Sequence, residues 1–146
     1  SALFERTTNP ESSTGEGIAL AYRAGAAISD MEFVQFHPTA FYNERGASFL
    51  ITEALRGEGA HLLSSAGERF VYEYSELGEL APRDIVSRAI SLEIEKSGKN
   101  FVYLDMRHLD SSYLKSRFAN IYEACLAVGV DMTNSLVPVA PAAHYM

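Results

Sequence analysis

The sequence predicts an α+β domain, on three features of the chain. Apolar residues recur at helical spacing in some stretches and alternate in others. These stretches follow one another without the regular βαβ rhythm of a doubly wound sheet. The 146 residues are 47% hydrophobic, enough for one domain with a modest core.

The stretch NPESSTGEGIALAYRAGAAIS reads as a loop entering a helix. Ser13 and Glu16 have capping-box spacing, and Gly15 and Gly17 allow close backbone approach. Ile18, Ala19, Tyr22, Ala26 and Ala27 form a stripe of mostly small residues, suited to packing on a sheet or a cofactor. MEFVQFHPTAF reads as a strand, with Phe33, Gln35 and His37 on one face and Val34 and Phe36 on the other. Pro38 is expected to end it. SFLITEALRG is expected to hold a short helix stopped by Gly57. AHLLSSAGERFV reads as a hairpin around SAGE, followed by the acidic, turn-rich connector YEYSELGEL.

Pro82 opens the next helix, where its fixed φ is suited and its missing N–H costs nothing. Ile85, Ala89 and Leu92, flanked by Val86, Ile90 and Ile94, give the apolar stripe, which runs to about Ser97 before Gly98. Asp84 and Arg88 have the spacing to pair. Arg83 stands at the electropositive end of this helix, which disfavours a cation. Solvation beside Asp84 is the plain explanation; an anion opposite Arg83 is the functional one. NFVYLDM reads as a strand. Ser111 is expected to cap a helix whose core positions are Leu114, Phe118, Ile121, Tyr122, Cys125 and Leu126, with Gly129 after it. LVPVAPAAHYM is held extended by Pro138 and Pro141.

Net charge is −7 and there is no basic cluster, which argues against nucleic acid and anionic membrane surfaces as partners. An anionic ligand would have to be held by a local group of cations and dipoles. No apolar run approaches the roughly 20 residues of a membrane span, and no secretory leader pattern is evident. The single cysteine, Cys125, reads as a buried, inert thiol, which fits a cytoplasmic location. Metal-ligand spacings, a P-loop and a G-x-S-x-G elbow are absent from the sequence, so no metal site is expected. The chain opens on SALFERTTNP without Met and stops after a strand-like run, as expected of a piece of a longer protein.

Four places concentrate polar groups that structure does not demand. They are His37, the Thr52, Glu53, Arg56 and Glu58 group in TEALRGEG, Arg83, and His144. Individually each has a structural explanation: a satisfied strand-end histidine, a salt-bridged turn, a solvated arginine. Together they are donors suited to a small ligand with carboxylates, if the fold brings them to one cavity. Arg56 and Glu58 read as a buried structural pair. His61 and His108 read as surface or structural groups, and Phe33, Phe36 and Phe41 as core or cavity wall.

TTNP, STGEG, EFVQFHPTAF, ITEALRGEGA, GERF, ELAPRDIVSRAI and VPVAPAAHY occur in the order seen in a known family. The chain resembles the flavoproteins of succinate dehydrogenase, fumarate reductase and L-aspartate oxidase over nearly its whole length. TEALRGEG, APRD and PAAHY resemble the oxidase branch. The resemblance implies that residues 1–36 are a tail piece of an FAD-binding domain and 37–146 the capping domain that closes over flavin and substrate. It implies that Glu16, with the Thr14 and Gly15 backbone, contacts FAD. His37 and Thr52, with Glu53 close, would hold one carboxylate of a small dicarboxylate substrate. His144 would hold the other, with an arginine beyond this chain. Arg83 would move the proton. The implied reaction oxidises L-aspartate to iminoaspartate in NAD biosynthesis; the alternatives are a succinate dehydrogenase or fumarate reductase flavoprotein, or a non-catalytic ligand-binding module. The G-x-G-x-x-G fingerprint for the FAD pyrophosphate is not in the chain. The piece alone is therefore expected to bind no FAD tightly. Its uncovered face toward the FAD-binding domain is expected to favour self-association.

Overall fold

The computed structural model describes residues 3–44 and 49–145. The elements, in order, are α1 (Glu16–Arg23), β1 (Gln35–Phe41), α2 (Ala54–Gly57), β2 (His61–Leu63), α3 (Arg83–Ser97), β3 (Val102–Asp105), α4 (Ser111–Arg117), α5 (Ala119–Ala127) and β4 (Val137–Tyr145). The four strands form one sheet in the order β1-β4-β3-β2, with each neighbouring pair antiparallel. Helices covering an antiparallel sheet make the fold α+β, as the sequence predicts.

The core lies where α3 crosses the sheet. Val86, Ala89 and Ile90 of α3 pack with Phe41, Ile51, Leu55, Leu104, Val137 and Val139, all buried. Each of the larger aliphatic side chains contributes about 1.5–3 kcal/mol by leaving water. Leu92, expected in the apolar stripe, is partly exposed instead. The Ser87 hydroxyl of α3 donates to the Phe36 carbonyl at 3.1 Å and pins the helix to β1.

Several boundaries differ from the sequence reading. β1 starts at Gln35 and runs through Pro38 to Phe41; its register with β4 shifts between His37 and Ala40, which absorbs the missing proline N–H. The Ser13–Glu16 capping box does not form: α1 begins after Gly15, at φ +87°, with no side-chain cap, and none of its residues is buried. Pro82 is the residue before α3 rather than its first turn, with extended ψ. Asp110, not Ser111, caps α4 by accepting from the Tyr113 amide at 2.7 Å. The single helix expected after it is broken at Phe118, whose φ of −124° is non-helical, so α4 and α5 are separate. The hairpin at SAGE is reduced to one bridge, Leu63 with Arg69, because β2 pairs chiefly with β3. No ion pair joins Asp84 and Arg88 among the described residues.

Candidate active site

β1 and β4 bring two histidines together. The register sets His37 opposite Ala142 and Gln35 opposite Tyr145. His144 falls between them on β4, and its ring meets that of His37 edge-on with centroids 5.4 Å apart. His37 is fully buried; the Thr39 backbone amide donates to its Nδ1 at 3.2 Å, and its Nε2 has no hydrogen-bond partner among the described residues. Burial, with the nearby Arg83, His144 and Arg56, pushes its pKa down to about 3, against a smaller opposing effect of Glu53. At neutral pH it is therefore an uncharged imidazole. His144 is half-buried, and burial first, then Arg83, lowers its pKa too.

α2 and α3 supply the charges. Glu53 immediately precedes α2, and Arg83 is the first residue of α3. Arg83 donates from Nε to Glu53 Oε2 at 2.6 Å and from Nη1 to Gln35 Oε1 at 3.0 Å. Glu53 also faces Arg56, with its Oε1 3.5 Å from Arg56 Nη2. The hydrogen bond from Arg83 is the main reason the Glu53 carboxyl is held below its ordinary pKa. Arg56 is buried and donates to the Glu79 carbonyl, so its partners are Glu53 and Glu79; Glu58, its expected partner, is exposed. The Thr52 hydroxyl accepts from the Ala54 amide at 3.3 Å, bridging the turn into α2.

The structure thus draws His37, His144, Glu53 and Arg83 into one electrostatic group, with Thr52 next to Glu53 in the chain. Arg83, Gln35 and Phe36 line a cavity of about 940 Å³ with Phe33, Ile94 and Tyr145, so Phe33 and Phe36 are cavity wall. Thr14, Gly15 and Glu16 make no hydrogen bond or ion pair to this group among the described residues. They lie at the start of α1, with Glu16 exposed and open space over Gly15 and Gly17 where a side chain would stand. A free carboxylate and uncovered backbone fit contact with the hydroxyl and polar edges of a dinucleotide cofactor.

Three contributors were not singled out in the sequence: Gln35, Thr8 and Asn9. Gln35 shares the His37 face, which was the available signal. Thr8 places its hydroxyl 2.7 Å from His144 Nδ1, and Asn9 Nδ2 donates to the His144 carbonyl at 3.1 Å. Both sit in TTNP, a polar run whose meaning depends on a contact across the whole chain. His61 and His108 stack at 4.2 Å away from the site, consistent with a structural role.

A family model described as an FAD binding domain matches residues 1–146. The chain is 50% identical over 145 residues to an L-aspartate oxidase of Pseudomonas aeruginosa, covering 99% of this chain and 27% of that protein. It is 51% identical over 139 residues to an L-aspartate oxidase of Acinetobacter baylyi, covering 95% of this chain and 26% of that protein. An E. coli quinol fumarate reductase FrdA variant superposes with a TM-score of 0.87 at 38% identity, over 98% of this chain and 27% of that one. The chain belongs to the FAD-binding-domain family of flavoproteins. Within it, the chain is about half identical to L-aspartate oxidases and spans about a quarter of their length. The match runs through 1–146 as one unit and draws no boundary at residue 36. No helix among the described residues is long and apolar enough to cross a membrane.

Proposed function

We propose that this chain is the substrate-holding part of an FAD-dependent L-aspartate oxidase, with residues 37–146 forming its capping domain and 1–36 a piece of its FAD-binding domain. The observation that carries it is the convergence of two weakly basic imidazoles with an arginine–carboxylate pair, of which the arginine lines the cavity. The strong identity to L-aspartate oxidases favours aspartate over succinate or fumarate as substrate. The same reading makes the enzyme cytoplasmic and its product iminoaspartate, a precursor in NAD biosynthesis.

In this reading His37 and Thr52 donate to one carboxylate of the substrate and His144 to the other. Arg83 lies against the substrate when the cap closes. Closure excludes water from the pair it makes with Glu53 and strengthens their coupling. Oxidation to the imine releases a proton as well as a hydride; Arg83 relays that proton and the Glu53 carboxylate takes it, because a guanidinium is already fully protonated and cannot accept one alone. Glu16, with the Thr14 and Gly15 backbone, would contact FAD, which when bound supplies the hydride acceptor. The residues that seat the FAD pyrophosphate and the second arginine of the substrate site would come from elsewhere in the parent protein.

The deciding experiment replaces Arg83 by Leu in the full-length protein and measures turnover and aspartate binding separately. The proposal expects turnover to fall about a hundredfold or more with binding changed far less. Equal losses in both would reduce Arg83 to a binding group. Turnover of succinate and not aspartate by the unmodified protein would shift the assignment to the dehydrogenases.

A further inference from the structure

Whether an imidazole recognises an anion depends on which ring nitrogen carries the proton. A neutral ring donates from one nitrogen and accepts at the other. At His37 the backbone settles this: the Thr39 amide can only donate, so Nδ1 accepts and the proton sits on Nε2. That Nε2 is buried and unpartnered, and a donor in that state favours an incoming acceptor.

At His144 the partner is a hydroxyl, which can do either. Among the described residues, His144 Nδ1 is the only hydrogen-bond partner of the Thr8 hydroxyl. If Nδ1 carried the proton, the Thr8 O–H would be left without an acceptor in a half-buried place. If Thr8 donates, both groups are satisfied and the His144 proton moves to Nε2.

We propose that Thr8 is a positioning residue that fixes His144 as a neutral Nε2–H donor, so that His37 and His144 meet the substrate as a matched pair of uncharged donors. The Thr8 backbone is itself held, its amide donating to the Ala143 carbonyl at 3.0 Å, and Asn9 grips the His144 carbonyl. The hydroxyl is therefore delivered to the ring by a fixed backbone. The charged or titratable groups facing the two rings are Arg83 from α3, Glu53 and Arg56 from α2 and its approach, and the histidines themselves from β1 and β4. Arg83 beside both rings disfavours a proton on either, which matches a neutral pair. The positive charge needed by a dianion then comes from arginine, and substrate affinity keeps its value as pH rises through the usual histidine range. The role in substrate binding rests on the function proposed above; the tautomer does not.

The test uses full-length protein with ¹⁵N-labelled histidine, comparing wild type with Thr8→Val and Thr8→Ser. In the wild type, the His144 Nδ1 resonance should be that of an unprotonated, hydrogen-bonded nitrogen and Nε2 that of a protonated one. Thr8→Val should mix the tautomers and weaken succinate binding about fivefold, while Thr8→Ser should restore both. A wild-type His144 protonated on Nδ1, or a tautomer unchanged in Thr8→Val, would overturn the proposal. Absence of succinate binding by the wild type, with the expected tautomer present, would count against the proposed function and leave Thr8 in its role.

Discussion

Arg83 and Glu53, from separate elements, meet at 2.6 Å, and Glu53 turns its other oxygen toward the buried Arg56. A single carboxylate thus lies between one guanidinium that opens to the cavity and one that is sealed in the protein. This resolves the charge at the start of α3. The positive helix end disfavours Arg83, and the Glu53 carboxylate offsets that cost without any ligand.

Replacing Glu53 by Gln keeps the size and one acceptor oxygen but removes the charge. In the full-length protein we expect turnover to fall about a hundredfold, the low end for a lost proton-transfer partner. Arg83→Lys should fall comparably, because a lysine keeps the charge and loses the fork that bonds Glu53 and Gln35 together. Steady-state kinetics of both variants is the check. A Glu53→Gln enzyme as fast as wild type would leave Glu53 with a holding role only.

The Glu53 carboxyl is held below its ordinary pKa of 4.5, so its pairing stabilises the fold fully above that pH and is lost as pH falls through the lower, folded value. His37 works over a different window. Its pKa falls from 6.5 to about 3, so between those values the unfolded chain binds a proton that the folded chain does not. Stability should therefore drop as pH falls below 6.5, by about 1.5 kcal/mol from His37 between pH 6.5 and 5. Urea unfolding at the two pH values, with His37→Gln as control, measures it. Because His61 and His144 are lowered as well, the variant should lose part of the slope rather than all of it.

Glu79 is a buried carboxylate that accepts from the Leu62 amide at 3.1 Å and from both arms of Arg69, at 3.1 and 2.7 Å. Glu79→Ala leaves the buried Leu62 amide without its acceptor and takes the carboxylate from Arg69, which keeps Tyr72 and solvent. It should cost about 2 kcal/mol, chiefly for the orphaned amide. Glu79→Gln, which keeps an acceptor for Leu62, should cost less. Denaturant midpoints of the two variants would separate these effects, and equal midpoints would show that the amide contact contributes nothing.

Gly78 has φ +53°, and a side chain there would meet the Tyr72 ring, with its nearest atom 2.5 Å away. Gly78→Ala should destabilise by about 1–2 kcal/mol through the left-handed backbone alone. Tyr72 is about half exposed and can swing aside, so the clash adds little. Thermal unfolding with Tyr72→Ala in the background tests this: the penalty should persist when the ring is gone.

Much of the scaffold could be read from the sequence because local rules decide it. Gly98, at φ +65°, ends α3 where expected, and the prolines hold β4 extended. Rules of that kind failed where a distant partner decides. Pro38 does not stop β1 because β4 accommodates it through a register shift. Ser13 does not cap α1, because Gly15 adopts the left-handed turn at that end. Arg56 reads locally as the partner of Glu58, yet the fold gives it Glu53 and the Glu79 carbonyl. His37, Glu53, Arg83 and His144 were singled out by residue type, whereas Thr8 and Gln35 acquire meaning only from neighbours far along the chain.

The contact between Thr8 and His144 spans 136 positions. Residues 6–8 lie along the end of β4, where the Ala143 amide donates to the Arg6 carbonyl and the Thr8 amide to the Ala143 carbonyl. Closing so long a loop is slow compared with forming α3 or the β2–β3 pair. A growing polypeptide can therefore form α3 and the β2–β3 pair before β4 emerges, and it joins residues 6–8 to the His144 end of β4 afterwards.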